Sequence, residues 1–338
     1  MAQLVRDLLW IALLPLSWLY SLAVDFTLRS RKRNNPGLLV ISVGNIHLGG
    51  TGKTPIVIQL ANHLKSIKPV ILSRGYKSHS TKVGVQLDEQ SKSGPTQFGD
   101  EPWVISHSTD SDVYIGANRF EVIQKFDLAN RYQVALLDDG FQHVQLERTI
   151  NLLVLPGDDN PWETACVPLG NLREGLSSVK RATLILITCS NRNSAWVQDW
   201  KNIVSQLAPG VPCFVGLRKP VSVLDDQGET VNPDQTRFGA FCGIGRPQRF
   251  IEDLSHWAPT EFLKIYPDHH AYTKDDIKEL IKLAKDRAVE FFVTTEKDFF
   301  KVKDLFGEFD LPLRVAHTEY DLPLEFWETL EIRMRQAC

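Results

Sequence analysis

A chain of 338 residues with 43% hydrophobic and 23% charged side chains is long enough for two domains and has the make-up of a soluble globular protein. Its net charge of −3 argues against a general nucleic-acid binder, because no global positive field stands ready to neutralise phosphates. The five cysteines (Cys166, Cys189, Cys213, Cys242, Cys338) are odd in number, scattered and form no C-x-x-C, so reduced thiols fit better than a disulfide framework or a zinc site.

The first anomaly in chain order is N-terminal. Leu8–Val24 runs 17 residues without a charge and is followed at once by Arg29, Arg31, Lys32 and Arg33. The run sits at the lower edge of a spanning length, and Pro15 interrupts it. A cleaved signal peptide could use Ser21 and Ala23, but the basic cluster after the run opposes export. A buried core helix is the second alternative. The favoured reading is an uncleaved membrane-associating helix over residues 1–30, spanning or lying in the interface, with the basic cluster on anionic cytoplasmic headgroups. A site beginning about a dozen residues further on then suggests a lipid substrate.

Leu38–Leu64 carries the strongest signal. A buried-strand run, Leu38–Val43, enters a glycine-rich loop that opens onto a helix beginning near Lys53, which is the context a phosphate-binding P-loop needs. Gly49, Gly50 and Gly52 let backbone N–H groups turn toward a polyphosphate, and the helix N-terminus stands behind the same anion. Within His47, Leu48, Gly49, Gly50, Thr51, Gly52, Lys53 and Thr54, Lys53 can reach the β- and γ-phosphates and the Thr54 hydroxyl can hold Mg²⁺. His47 stands where the usual pattern has its first glycine. A glycine-rich turn without ligand is the bland alternative.

Pro69–Ser73 reads as a second strand ending in Arg74-Gly75-Tyr76, and the polar stretch Lys77–Gln97 as a surface loop or hairpin. Phe98-Gly99-Asp100-Glu101-Pro102 then places two acids before a proline that could start a helix. Asp112–Ile115 is a short strand, and Arg119 lies on an amphipathic helix. Gln133–Leu137 is an apolar strand ending in Asp138-Asp139-Gly140-Phe141-Gln142-His143. Hydrophobic strand followed by aspartate is a Walker B pattern, because Mg²⁺ and its waters need a carboxylate opposite the P-loop. Asn151–Leu155 and Thr183–Thr188 continue an alternating α/β pattern expected of a mostly parallel sheet. Between them, Pro168–Glu174 carries Arg173, a guanidinium suited to a phosphate, although such a loop alone reads as solvated. Asn191-Arg192-Asn193-Ser194 lacks the aspartate of a guanine reader, which favours adenine.

The pattern restarts around Val215–Val223, so residues 31–218 form the expected P-loop domain and 219–338 a smaller α/β domain. Phe238–Cys242 leads into Gly243-Ile244-Gly245-Arg246-Pro247, a tight strand-to-helix turn without the third glycine of a dinucleotide site. Asp268-His269-His270 could be metal ligands, a catalytic base system or a polar turn ahead of the Lys274–Lys285 helix. Glu290–Thr295 and Leu313–His317 are two further strands, the first ending in Glu296-Lys297-Asp298 and the second preceding a last amphipathic helix.

V-G-N-x-x-x-G-G-x-G-K-T-P from Val43, S-R-G-Y from Ser73, G-D-E-P from Gly99 and L-D-D-G-F-Q-H from Leu137 form one constellation. G-N-L-R-E from Gly170, D-H-H-x-Y from Asp268 and T-T-E-K-D from Thr294 complete it. The set resembles tetraacyldisaccharide 4′-kinase, the membrane-associated enzyme of lipid A biosynthesis in Gram-negative bacteria, over nearly the whole chain. The resemblance implies transfer of the ATP γ-phosphate to the 4′-hydroxyl of a tetraacylated disaccharide 1-phosphate, giving lipid IVA, at the cytoplasmic face of the inner membrane. It implies ATP and Mg²⁺, with Lys53 and Thr54 on the phosphates and metal, aided by Asp138, Asp139 and Glu101. Asp100 becomes the base for the sugar hydroxyl, supported by His269 from the second domain. Asn45, Arg74, Arg119, Gln142, His143, Asn171 and Arg173 would line the acceptor side. The partner is the lipid precursor, with no nucleic acid and no obligate protein partner inferred. A P-loop ATPase or GTPase switch or metallochaperone is the rival class, and a kinase for a soluble sugar or nucleoside would leave the apolar N-terminus unexplained.

Overall fold

The computed structural model describes residues 2–75, 84–87, 94–225, 227–233 and 237–337, with the backbone alone for 2–12 and 96. The first half runs α1 (Ala2–Ser30), β1 (Leu39–Gly44), α2 (Lys53–His63), β2 (Val70–Ser73), β3 (Val85–Gln86), α3 (Gly94–Phe98), α4 (Asp100–His107) and β4 (Val113–Ile115). It continues with α5 (Arg119–Lys125), α6 (Leu128–Arg131), β5 (Val134–Asp138), β6 (Ile150–Pro156), β7 (Leu184–Cys189), α7 (Ala195–Leu207) and β8 (Cys213–Arg218). The second half has β9 (Ser222–Leu224), β10 (Phe238–Cys242), α8 (Pro247–Trp257), β11 (Phe262–Ile265), α9 (Lys274–Asp286), β12 (Phe291–Thr295) and α10 (Glu296–Phe306). β13 (Leu313–His317), β14 (Tyr320–Asp321) and α11 (Leu324–Arg335) close the chain. Of the expected loop at Lys77–Gln97, residues 77–83 and 88–93 lie outside the described residues, as does Tyr76.

The strands make two largely parallel sheets, so the fold is mixed α/β. The larger has the order β14-β8-β7-β6-β1-β5-β2-β4-β3, parallel except at its two edge strands. Its inner strands are buried on both faces, with Val40, Ile41 and Val43 of β1 and Leu152, Leu153 and Val154 of β6 fully inaccessible. That burial explains the unbroken apolar runs in the sequence. β1 lies between β5 and β6, with β2, β4 and β3 beyond β5 and β7 and β8 beyond β6, so the connections leaving β1 and β6 run to opposite sides. The loops leaving β1, β5 and β6 therefore diverge around a crevice at the carboxyl ends of the strands, where open α/β sheets hold their ligands.

The smaller sheet has the order β11-β10-β12-β13-β9, parallel but for β9. The second half does not keep the chain to its end. β14 pairs with β8, and Tyr320, Leu322, Phe326, Leu330 and Met334 join the core of the larger sheet. Within residues 219–338, the closing segment thus belongs physically to the larger sheet, because its apolar face at 322, 326 and 330 finds its burial there.

α1 lies against the larger half by one face. The Ser17 hydroxyl donates to the Cys166 carbonyl at 2.6 Å, Tyr20 to that of Arg173 at 3.2 Å, and Leu28 is buried. The opposite face leaves Leu14, Trp18, Leu22 and Phe26 exposed at four-residue spacing, with Phe26 at 75%. Among the described residues no helix is long and apolar enough to cross a membrane. Cys166, Cys189, Cys213 and Cys242 are free thiols.

Candidate functional site

α2 begins without a capping side chain. Its N-cap, Gly52, sits at φ 80°, where a side chain would be strained, so the first-turn N–H groups are left for a ligand rather than a cap. Lys53 is nearly buried and places its Nζ 3.2 Å from Asp139 Oδ1. Asp139 also accepts from Arg173 Nη1 at 2.7 Å. Burial alone would raise the Asp139 pKa, but Lys53 and Arg173 override it and hold the carboxyl at about 2. Asp138, one residue earlier at the end of β5, behaves oppositely. Burial, together with the negative charges of Glu101 and Asp139, pushes it up to about 7, although Ser73 Oγ donates to its Oδ2 at 2.9 Å. Its Oδ1 is buried and, among the described residues, has no hydrogen-bond partner. Two adjacent carboxyls, one clamped by cations and one short of positive charge, leave a place for a cation.

The acids of α4 face the second half of the chain. His269 Nδ1 lies 2.9 Å from Asp100 Oδ2, joining the two residues expected to act as base and support. Lys301 Nζ on α10 lies 2.8 Å from the same oxygen. Burial would raise the Asp100 pKa, but the hydrogen bond to His269 and the charge of Lys301 bring it below the ordinary carboxylate value. His269 adopts φ 60°, a conformation rare outside glycine and one that tends to be kept at functional positions. Its neighbour His270 takes a structural part, with Nε2 3.2 Å from Asp276 Oδ2 and the ring stacked on Tyr266. Glu101 is paired with Lys297, Nζ to Oε1 at 2.5 Å, and that charge holds its carboxyl below the usual range.

The expected acceptor residues divide. Arg119 is buried on α5, donating to the carbonyls of Ala117 and Asp138 at 3.1 and 3.3 Å, and burial lowers its pKa to about 10, so it stays charged beside the acids. Burial and the nearby Arg119, Arg148, Arg31 and Arg74 bring His143 down to about 3 and keep it neutral. Gln142 donates to the Asn45 carbonyl at 2.8 Å and to Glu174 Oε1 at 2.6 Å. Asn45 braces the P-loop by donating to Thr51 Oγ1 at 2.7 Å, and Asn171 contributes its backbone carbonyl to the Leu48 N–H at 2.6 Å. These three hold loops together, while Arg74, Arg119 and Arg173 supply the positive charge near Asp138 and Asp139, with His143 a neutral ring beside the arginines. His47 is fully buried against Trp200 and driven neutral by that burial, at about 4, so it fills the place of a glycine without adding charge.

Several groups here carry no signal of their own in the sequence. Lys301 is one of three lysines in E-K-D-F-F-K-V-K, and nothing in its spacing distinguishes it. Lys297 lies in T-T-E-K-D, where the threonines and the aspartate prove structural. Thr294 Oγ1 donates to the Phe241 carbonyl, and Thr295 with Asp298 caps α10 while Asp298 Oδ2 accepts the Gly243 N–H at 2.8 Å.

A glycine-rich strand–loop–helix at the switch point of a parallel sheet, with paired acids at the next strand end, defines a nucleotide-phosphate-binding protein of the α/β class. The comparisons with known proteins are more specific. Residues 9–335 match the family model described as tetraacyldisaccharide-1-P 4′-kinase. The tetraacyldisaccharide 4′-kinase of Syntrophus aciditrophicus is 36% identical over 283 residues, covering 78% of this chain and 75% of that protein. That of Chlamydia abortus is 31% identical over 320 residues, covering 90% and 84%. The crystal structure of LpxK from Aquifex aeolicus in complex with ATP superposes with a TM-score of 0.75 at 27% identity, over 97% of this chain and 99% of that one. The chain belongs to the tetraacyldisaccharide-1-P 4′-kinase family.

Proposed function

We propose that this chain is the ATP-dependent lipid kinase its family membership indicates, phosphorylating the 4′-hydroxyl of tetraacyldisaccharide 1-phosphate in lipid A biosynthesis, with lipid IVA as product. The observation that carries the reading is the Asp100–His269 contact at 2.9 Å, which sets a carboxylate from the P-loop half against a histidine from the other. ATP lies along the loop His47–Thr54, with Lys53 leaving Asp139 for the phosphates. The acceptor hydroxyl hydrogen-bonds to Asp100, which takes its proton as the bond to phosphorus forms. His269 and Lys301 hold the carboxylate in place and ionised. In a loose transition state the hydroxyl has gained little bond to phosphorus, so such a weak base takes the proton late, as that bond completes.

Mg²⁺ fits the residues present, with Asp138 Oδ1 the unpaired acceptor, Thr54 at the start of α2, and Asp139 beside them. When bound, the ion neutralises the charge of the phosphates and of the buried acids. Glu101, tied to Lys297, would act from further out. The exposed apolar face of α1 supports the reading that the helix lies on the cytoplasmic leaflet, with the acceptor side beside it through Tyr20 and Arg173.

Transfer of labelled γ-phosphate from ATP to purified tetraacyldisaccharide 1-phosphate, with and without Mg²⁺, tests the reading. ATP hydrolysis that ignores the lipid, with no labelled lipid formed, would favour the switch-type ATPase instead.

A further inference from the structure

Arg246, from the turn read in the sequence as a tight strand-to-helix connection, and Arg249 just beyond it converge on the P-loop. Arg246 is the N-cap of α8 and Arg249 lies in its first turn. Arg246 Nη1 is 2.9 Å from Asp159 Oδ2, and Arg249 Nη2 is 3.4 Å from Asp159 Oδ1, so one carboxylate holds both guanidinium groups. Arg249 also directs Nη1 at the Gly50 carbonyl, 3.5 Å away. Arg246 Nε lies 3.6 Å from where a Cβ on Gly49 would stand, and Gly49 has φ 96°. Asp159 sits on the loop after β6, across the crevice from the P-loop, with its carbonyl fixed by the Trp200 indole at 3.1 Å. Arg246, Lys53 and Arg173 all bear on the buried His47, which places the arginine within the same field as the phosphate-binding lysine. Tyr320 shuts the third side, its hydroxyl occupying the space that a Cβ on Gly52 would need.

Resting on the reading of this loop as the ATP site, we propose that Arg246 and Arg249 are ligands for the ATP polyphosphate contributed by the second sheet. Asp159 is the internal carboxylate that occupies them until the nucleotide arrives. The exchange is favourable in kind. The Arg–Asp pairs are about a quarter exposed and so partly screened, whereas planar guanidinium groups bind polyphosphate oxygens bidentately and meet several negative charges. Because both arginines sit at one end of α8, binding them to phosphates also draws the second sheet toward the P-loop.

Asp159 gives the test its sign. Affinity of the full-length protein for ATP, ADP and AMP is measured by competition with a fluorescent ATP analogue, and thermal melts confirm that each variant folds. Arg246→Ala and Arg249→Ala should each weaken ATP binding about tenfold, with little effect on AMP, since one or two charged hydrogen bonds are lost. Asp159→Asn should strengthen ATP binding about threefold, and that gain should vanish in the Arg246→Ala/Arg249→Ala background. If Asp159→Asn weakens ATP binding as the arginine variants do, the three residues are a structural tie and the inference fails. Arginine variants that bind ATP normally while Lys53→Ala does not would also overturn it, leaving the kinase reading intact. An intact protein that binds no ATP would overturn both.

Discussion

The larger sheet and the smaller one meet the same cleft with different materials. The larger holds its chemistry on the loop from Asn45 to Lys53 after β1, on the Asp138-Asp139 pair at the end of β5, and on Arg173 in the connection between β6 and β7. The smaller reaches in with long cations and a histidine, Lys297 and Lys301 from α10, Arg246 and Arg249 from α8, and His269 from the loop after β11. One side is a preformed cradle fixed by the core beneath it. The other is a set of charges whose partners lie across the gap, so its contacts form and break with the distance between the sheets. Substitutions on the two sides should therefore fail differently.

The largest expected effect lies where the sides touch. Asp100→Ala and His269→Ala should each lower kcat by about 10²–10⁴ while ATP affinity stays near that of the parent protein. Their combined loss should fall well short of the product, because residues acting as one unit are non-additive. A double variant showing the full product of the single defects would mean that Asp100 and His269 act independently.

Within the cradle, Lys53→Ala removes the charge now paired to Asp139 and should cut turnover by about 10²–10³, with weaker ATP binding as well. Near-normal kinase activity in that variant would remove the P-loop from the mechanism. The contrast with Asp100 is the point of interest: the cradle residue should alter binding and rate together, the cross-cleft pair rate alone.

This difference in construction also explains what was legible in the chain. Strands β1, β5, β6 and β7 stand out as apolar runs because both their faces are covered, and the loop after β1 is forced into glycines by a backbone that must turn toward an anion. The family resemblance pairs Asp100 with His269, and the two meet at 2.9 Å, although spacing alone leaves His269 between three roles. Lys301, Arg246 and Arg249 stay hidden, since a lysine or arginine on an amphipathic helix reads as solvated until the opposite sheet is in place. The return of Leu322, Phe326 and Leu330 to the first core is hidden for a related reason: an amphipathic helix states that it buries a face but not against what.

Lys301 offers a finer probe of the cross-cleft side. Asp100 must be ionised to accept a proton, and its pKa is depressed despite burial by His269 and Lys301. Lys301→Met deletes one positive charge and one hydrogen bond, so the Asp100 pKa should rise. The acid limb of kcat/KM should then move to higher pH, with activity lost at low pH and the plateau above it little changed. An acid limb that stays in place while the whole profile drops would make Lys301 a packing residue rather than a charge acting on Asp100.

The smallest effect should lie outside the cleft, on the exposed face of α1. Trp18 and Phe26 are 64% and 75% exposed, two turns apart along the stripe that includes Leu14 and Leu22. The buried side of the same helix is fixed by Ser17 and Tyr20 to the loop that carries Arg173, so the stripe can be altered without disturbing that docking. Replacing both aromatics, Trp18→Ser with Phe26→Ser, removes apolar area that would enter the headgroup boundary, and partition onto vesicles containing anionic lipid should fall about threefold to tenfold. Turnover on acceptor dispersed in detergent should be unchanged, because nothing in the cleft has moved. High salt should weaken the remaining binding further if Arg29, Arg31, Lys32 and Arg33 hold anionic headgroups. Vesicle binding by the double variant equal to that of the parent protein would show that α1 is not the membrane-facing element, and the docking of the acceptor would then need another surface.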